Sequence, residues 1–153
     1  SLYHYFSSKK DLLDVIMRRY LTVLIRGAEQ VINEVIEKDP ELALKNIIKF
    51  HVESHGKEKL AALVVDTEYR SLEGESREEI KELRKQYEDL WIQILEKGKQ
   101  KGVFFYSDKK ITSYALMGLC TGVAHWYKED GGLSLSEIAD QYAMLGLQMV
   151  KPL

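Results

Sequence analysis

The sequence has 153 residues, enough for one domain with a substantial core, and 22 Lys and Arg stand against 24 Asp and Glu. The resulting net charge of −2 lacks the basic surplus that marks a free-standing nucleic-acid binder. A lone cysteine, Cys120, excludes an internal disulfide framework and, with no signal peptide in view, fits a reducing, cytoplasmic setting.

Only two prolines occur and apolar residues recur at helical spacing almost throughout, so the expected fold class is all-α. The stretch SLYHYF opens the chain with a knot of aromatics. Ser8 then caps a first helix whose apolar face (Leu12, Ile16, Tyr20, Leu24, Ala28, Val31, Val35) continues to about Glu37. DPEL restarts the chain with Asp39 as cap and Pro40 at the first helical position. This second helix carries Ile47, Phe50, His51 and His55 and is expected to break at Gly56. Leu60 to Leu72 gives a third helix, EGES a loop, and Ile80, Leu83, Tyr87, Leu90, Trp91, Ile94 and Leu95 the cleanest apolar stripe, ending near Gly98 or Gly102.

A further helix is expected from about Asp108 to Tyr127. Its charge-free run borders on membrane-spanning length, but Thr112, Ser113, Gly118, Thr121, Gly122 and His125 make it a buried helix instead. Apolar on every side, it needs a cover on every side, from a partner or, alternatively, from its own chain wrapped fully around it. A second subunit supplies the simplest one. After KEDGG, Ser134 and Glu137 cap a last helix with Ile138, Tyr142, Leu145 and Met149. The architecture expected is about six helices, with the last two forming a four-helix interface in a homodimer; Leu119, Trp126, Tyr142, Leu145 and Met149 are the candidate contacts.

SLYHYFSSKKDLL resembles the junction between recognition helix and linker helix in TetR-type transcriptional regulators, with Leu2, Tyr3, His4, Tyr5, Phe6, Ser8, Lys9 and Asp11 matching in order. The resemblance implies that residues 1–7 are the remnant of a helix-turn-helix domain whose earlier helices lie outside this sequence, and that residues 8–153 are the effector-binding and dimerisation domain. It also implies operator DNA as a partner, with Tyr3, His4, Lys9 and Lys10 on the phosphate side; the alternative is that Tyr3 packs and the lysines are merely solvated. A lysine in the first turn of a helix stands beside free amides that favour an anion.

The segments from Asp66 to Asp108 and from Gly118 to Val150 resemble the branch of that family that answers to acyl-CoA thioesters. Trp126, Tyr127, Lys128, Gly132, Ser134, Glu137, Ala139, Tyr142 and Ala143 carry the second match. Where that branch often has Asn-Trp, this chain has Thr121 and Gly122, a change that either enlarges a cavity or loosens the interface.

No enzyme signature emerges. His51 and His55 have a metal-compatible spacing, but no further ligands follow, and no metal or other cofactor is expected. His51 fits better as a polar group in an apolar pocket and His55 as a surface residue. Glu68, Arg70 and Arg84 make either an internal ion-pair set or a pocket rim. The function expected is a ligand-responsive repressor released from DNA by an apolar effector, an acyl-CoA or related lipid, with no role at a membrane. His51, Val65, Tyr87, Trp91, Tyr114, Met117, Gly118 and Thr121 form the candidate pocket wall, and Lys57, Lys59, Arg70 and Arg84 are candidates for the coenzyme phosphates. A ligand-free helical dimerisation module and a sensor of cationic drugs are the competing expectations.

Overall fold

The structure, a computed structural model, describes residues 8–152. Tyr3 and His4, with the rest of the opening motif, lie outside the described residues. Among these residues every regular element is a helix: α1 (Lys9–Ile32), α2 (Pro40–Lys57), α3 (Lys59–Glu68), α4 (Gly74–Gln100), α5 (Lys109–Thr121), a one-turn α6 (Val123–Trp126) and α7 (Leu135–Val150), with a 3-10 turn at Tyr69–Ser71. The all-α expectation holds, and no described helix is long and apolar enough to cross a membrane.

Side-chain caps set four of the starts. Ser8 accepts from the Asp11 amide, Asp39 from Leu42, Asp108 from Ile111 and Ser134 from Glu137. Each satisfies an amide that has no partner within its own helix.

Several boundaries differ from the expected ones. α1 ends at Ile32 rather than near Glu37, and residues 33–38 form turns closed by Ile36 N donating to Ile32 O. The apolar periodicity outlives the helix because Val35 and Ile36 still pack on the core from those turns. α2 does not break at Gly56. It runs to Lys57, and Gly56 is buried under Leu135, whose side chain occupies the space a Cβ would need. EGES is not a loop: α4 begins at Gly74, whose φ of +62° makes the turn into the helix. The helix expected from Asp108 to Tyr127 is two, broken after Thr121 at Gly122.

The core lies where α2 packs along α7 and against α1, with α4 and α5 closing the other side. Met17, Leu44, Ile47, Ile48, Ile80, Trp91, Ile94, Leu95 and Leu116 are fully buried there. Glycine allows close approach there: Gly146 on α7 faces Ile48 and Leu116. Polar links tie the same elements at the surface. Arg18 on α1 reaches Glu79 on α4 at 2.6 Å, Ser76 donates to Asp14, and Lys49 pairs with Asp140 at 2.8 Å. Phe105 N donates to Val150 O at 2.7 Å, fixing the loop after α4 to the end of α7.

Candidate effector cavity

A cavity of about 440 Å³ opens between α1, α2, α3, α4 and α5. Its walls are Tyr20, Leu21 and Leu24 from α1, His51 and His55 from α2, and Ala62, Val65 and Asp66 from α3. Arg84, Tyr87 and Glu88 from α4, Tyr114, Met117, Gly118 and Thr121 from α5, then Gly122 and His125, complete it. Seven of the residues expected from the sequence thus meet in one place: His51, Val65, Tyr87, Tyr114, Met117, Gly118 and Thr121. Trp91 does not reach the cavity. Fully buried, it stands behind His51 with ring centroids 5.5 Å apart in an edge-to-face contact.

The inner wall is a buried hydrogen-bonded group. His51 Nδ1 lies 2.6 Å from Tyr87 Oη and its Nε2 lies 3.0 Å from Thr121 Oγ1. One turn on, His55 stacks on His51 with centroids 3.8 Å apart, and its Nδ1 is 3.0 Å from the His51 carbonyl and 3.1 Å from Tyr20 Oη. His55 is therefore a buried wall residue and not the surface residue expected. Burial, and then the neighbouring His55, holds His51 well below the usual histidine range; burial takes His55 down to about 4. Both are neutral at pH 7. Burial likewise raises the Tyr20 and Tyr87 hydroxyls. Trp91 Nε1 makes no hydrogen bond of ordinary geometry among the described residues.

Charge is confined to the rim. Asp66, Arg84 and His125 are exposed, and His125 Nε2 lies 3.5 Å from Asp66 Oδ2. The Arg84 guanidinium stacks over Tyr69, 4.2 Å from the ring centroid. Of the basic residues expected at a mouth, Arg84 alone lines the cavity; Lys59 Nζ instead donates to Tyr127 O at 2.6 Å.

Cys120 is buried and its thiol is pushed up to about 12. No group of three or more metal-ligating side chains occurs among the described residues. Sequence reasoning missed Tyr20, Leu21 and Leu24 as wall residues; the local signal was Tyr20 alone, a hydroxyl set one turn from Leu24 in an otherwise aliphatic stripe.

The remaining expected residues lie elsewhere. Trp126, Leu145 and Met149 are 51%, 49% and 45% exposed, with Leu119 and Tyr142 half-buried beside them. Lys9 and Lys10 are exposed at the start of α1, and Lys10 Nζ lies 3.6 Å from Glu73 Oε2.

The family profile described as "Tetracyclin repressor-like, C-terminal domain" matches residues 37–150. The HTH-type transcriptional repressor KstR2 of Rhodococcus jostii is 25% identical over 149 residues, covering 96% of this chain and 72% of that protein. The TetR family transcriptional regulator PfmR of Thermus thermophilus superposes with a TM-score of 0.83 at 28% identity, covering 96% of this chain and 79% of that one. AibR, solved in complex with isovaleryl coenzyme A and operator DNA, shares the fold with a TM-score of 0.77 at 22% identity over 94% of this chain and 77% of that one. The relatives by sequence are transcriptional repressors, not enzymes. With them, the chain belongs to the TetR family of transcriptional repressors, as a tetracyclin repressor-like C-terminal domain.

Proposed function

We propose that the chain is the effector-sensing and dimerising part of a ligand-responsive repressor, and that its effector is an acyl-CoA or a related long apolar acid. The observation that carries the sensing role is the place of α1 in the cavity. Tyr20, Leu21 and Leu24 make α1 a wall in direct reach of an occupant. In this family that helix leads back to the DNA-binding helices, so an effector favouring a displaced α1 draws the repressor away from operator spacing. Lys9 and Lys10 at its start, with Tyr3 and His4 before them, are the proposed phosphate contacts. The exposed apolar face of α5, α6 and α7 is the proposed surface for a second subunit, through Leu119, Trp126, Tyr142, Leu145 and Met149.

The apolar walls at Leu21, Leu24, Val65 and Met117 support an acyl effector, Arg84 supports an anionic head at the rim, and AibR offers a relative of the same fold with such a ligand. One feature favours the second reading, a cationic drug: Asp66 and Glu88 place carboxylates on the same rim. A thermal-shift panel of acyl-CoA thioesters, free fatty acids and cationic drugs at matched ionic strength separates them. A true effector at 100 times its dissociation constant stabilises the fold by about 2.7 kcal/mol. A response to cationic drugs alone replaces the acyl-CoA reading, and no response to any class leaves the ligand-free dimerisation module.

A further inference from the structure

The hydrogen atoms of the inner wall can be counted, because its partners differ in what they can donate. The 2.6 Å separation between Tyr87 Oη and His51 Nδ1 is short for an N–H donor and suits a phenol O–H donating to a bare ring nitrogen. The remaining ring hydrogen is then on Nε2, and the 3.0 Å contact to Thr121 Oγ1 has the ordinary length of an N–H···O bond. Thr121 therefore accepts from His51, and its own hydroxyl hydrogen is left over. In a helix, threonine commonly gives that hydrogen to the carbonyl one turn back. Thr22, Thr67 and Thr112 each do so, at 2.7, 2.7 and 2.6 Å. Thr121 makes no such bond; its hydrogen bond is with His51 alone among the described residues.

The second histidine gives the same result. A carbonyl only accepts, so the His55 nitrogen 3.0 Å from the His51 carbonyl carries the hydrogen. Tyr20 Oη, 3.1 Å from that nitrogen, is then also an acceptor there, and its hydroxyl hydrogen is left over as well. Both residues with a spare donor line the cavity. Both rings are neutral, so neither brings a cation to this end, whereas the Arg84 guanidinium stands on the exposed rim.

We infer that the inner end of the cavity reads an uncharged hydrogen-bond acceptor on the buried part of the effector, a ketone or ester-type carbonyl oxygen, through the hydroxyl of Thr121 with that of Tyr20 as second donor. A plain alkyl end displaces the water that otherwise satisfies these donors and returns nothing to them. A carboxylate placed there gives up its hydration with no charge partner. An amphiphile with its ionic part at the rim and a keto-bearing hydrocarbon inside satisfies both ends. The inference rests on the proposal that this cavity takes the effector, and refines it from an acyl chain to an oxygenated one.

The test is titration calorimetry on the chain with octanoyl-CoA, 5-oxooctanoyl-CoA and 7-oxooctanoyl-CoA, and with the N-acetylcysteamine thioesters of the same three acids. At least one oxo isomer is expected to bind about tenfold more tightly than its octanoyl parent, the ratio that one well-made buried hydrogen bond supports. Thr121→Val, which keeps the side chain's shape, is expected to bring that ratio below threefold, and Tyr20→Phe to reduce it less. Equal binding of all three chains by the unaltered protein overturns the inference, as does a preference that survives both substitutions or a failure of all six probes to bind. If the CoA thioesters fail while the N-acetylcysteamine series keeps its oxo preference, the coenzyme reading falls and the carbonyl site stands. If the CoA thioesters bind without regard to the oxo group, the coenzyme reading stands and the carbonyl site falls.

Discussion

The two stacked histidines give the protein a pH dependence that can be signed from their surroundings. Both have folded-state pKa values below the ordinary histidine value, His55 at about 4 and His51 depressed by burial and by its neighbour. Below about pH 6.5 the unfolded chain binds protons that the folded chain refuses, so stability is complete above that value and falls as pH drops toward the folded pKa. Each histidine contributes up to about 1.4 kcal/mol per pH unit in that window. Thermal melts are expected to stay level from pH 7.5 to about 6.5 and to fall from there to pH 5, with a shallower slope in His55→Gln; a profile that stays flat down to pH 5 in the unaltered protein contradicts the neutral pair. Steric constraint acts at the same scale. A Cβ on Gly98 falls inside the ring of Phe104, itself fully buried, while Val103 N and Phe104 N both donate to the Gly98 carbonyl. The ring cannot swing aside without abandoning that turn, so Gly98→Ala is expected to destabilise by about 1–3 kcal/mol in urea melts.

The helices show where sequence patterns are sufficient and where they are not. Ser8, Asp39 and Ser134 were legible as caps because a side-chain oxygen facing its own third amide is a local event that needs no tertiary partner. Ser134→Ala is accordingly expected to cost about 1 kcal/mol, measured as a shift in denaturation midpoint with an unchanged slope, because it removes the cap of the helix that packs along α2. Glycine was misread for the opposite reason. Gly56 continues a helix under the Leu135 side chain, Gly122 ends one, and Gly74 starts one at a φ of +62°; the residue type alone does not distinguish these roles. The cavity followed the same division. Periodicity brought out Tyr87 and the α5 residues, but it could not reveal that α1 turns Tyr20 toward His55 across 35 positions of sequence. Trp91 matched the stripe, yet it lies one layer deeper than the wall, behind His51.

At the scale of the molecule, the unpaired apolar face of α5, α6 and α7 calls for cover. Met144, Leu145 and Met149 on α7 and Ile111, Tyr114 and Trp126 across from it are all more than two-fifths exposed. An apolar patch of that kind on a water-facing surface marks an interaction site. Leu145→Glu is expected to turn a dimer into monomers or aggregates in sedimentation velocity, and a wild-type monomer at high micromolar concentration contradicts the proposed assembly. A second whole-molecule property concerns DNA. In a protein carrying the full DNA-binding domain, Lys10→Ala is expected to weaken binding to all sequences alike and to lower the salt slope by about one unit, as loss of one phosphate contact does. A sequence-selective loss would take Lys10 off the backbone. The ion pair with Glu73 at 3.6 Å joins two well-exposed side chains and holds Lys10 only weakly against such a transfer.

The chain's two tryptophans occupy opposite extremes of solvation, Trp91 wholly enclosed next to a neutral histidine and Trp126 half in water beside Tyr142 at a centroid distance of 6.4 Å. Their light emission is therefore separable by colour and by collisional quenching: a blue, acrylamide-resistant component from the first and a red, accessible one from the second. Occupation of the cavity is expected to alter the blue component through the His51 ring, while the proposed association of two chains is expected to shield the red one. One emission spectrum thus follows ligand and assembly independently, with no label attached.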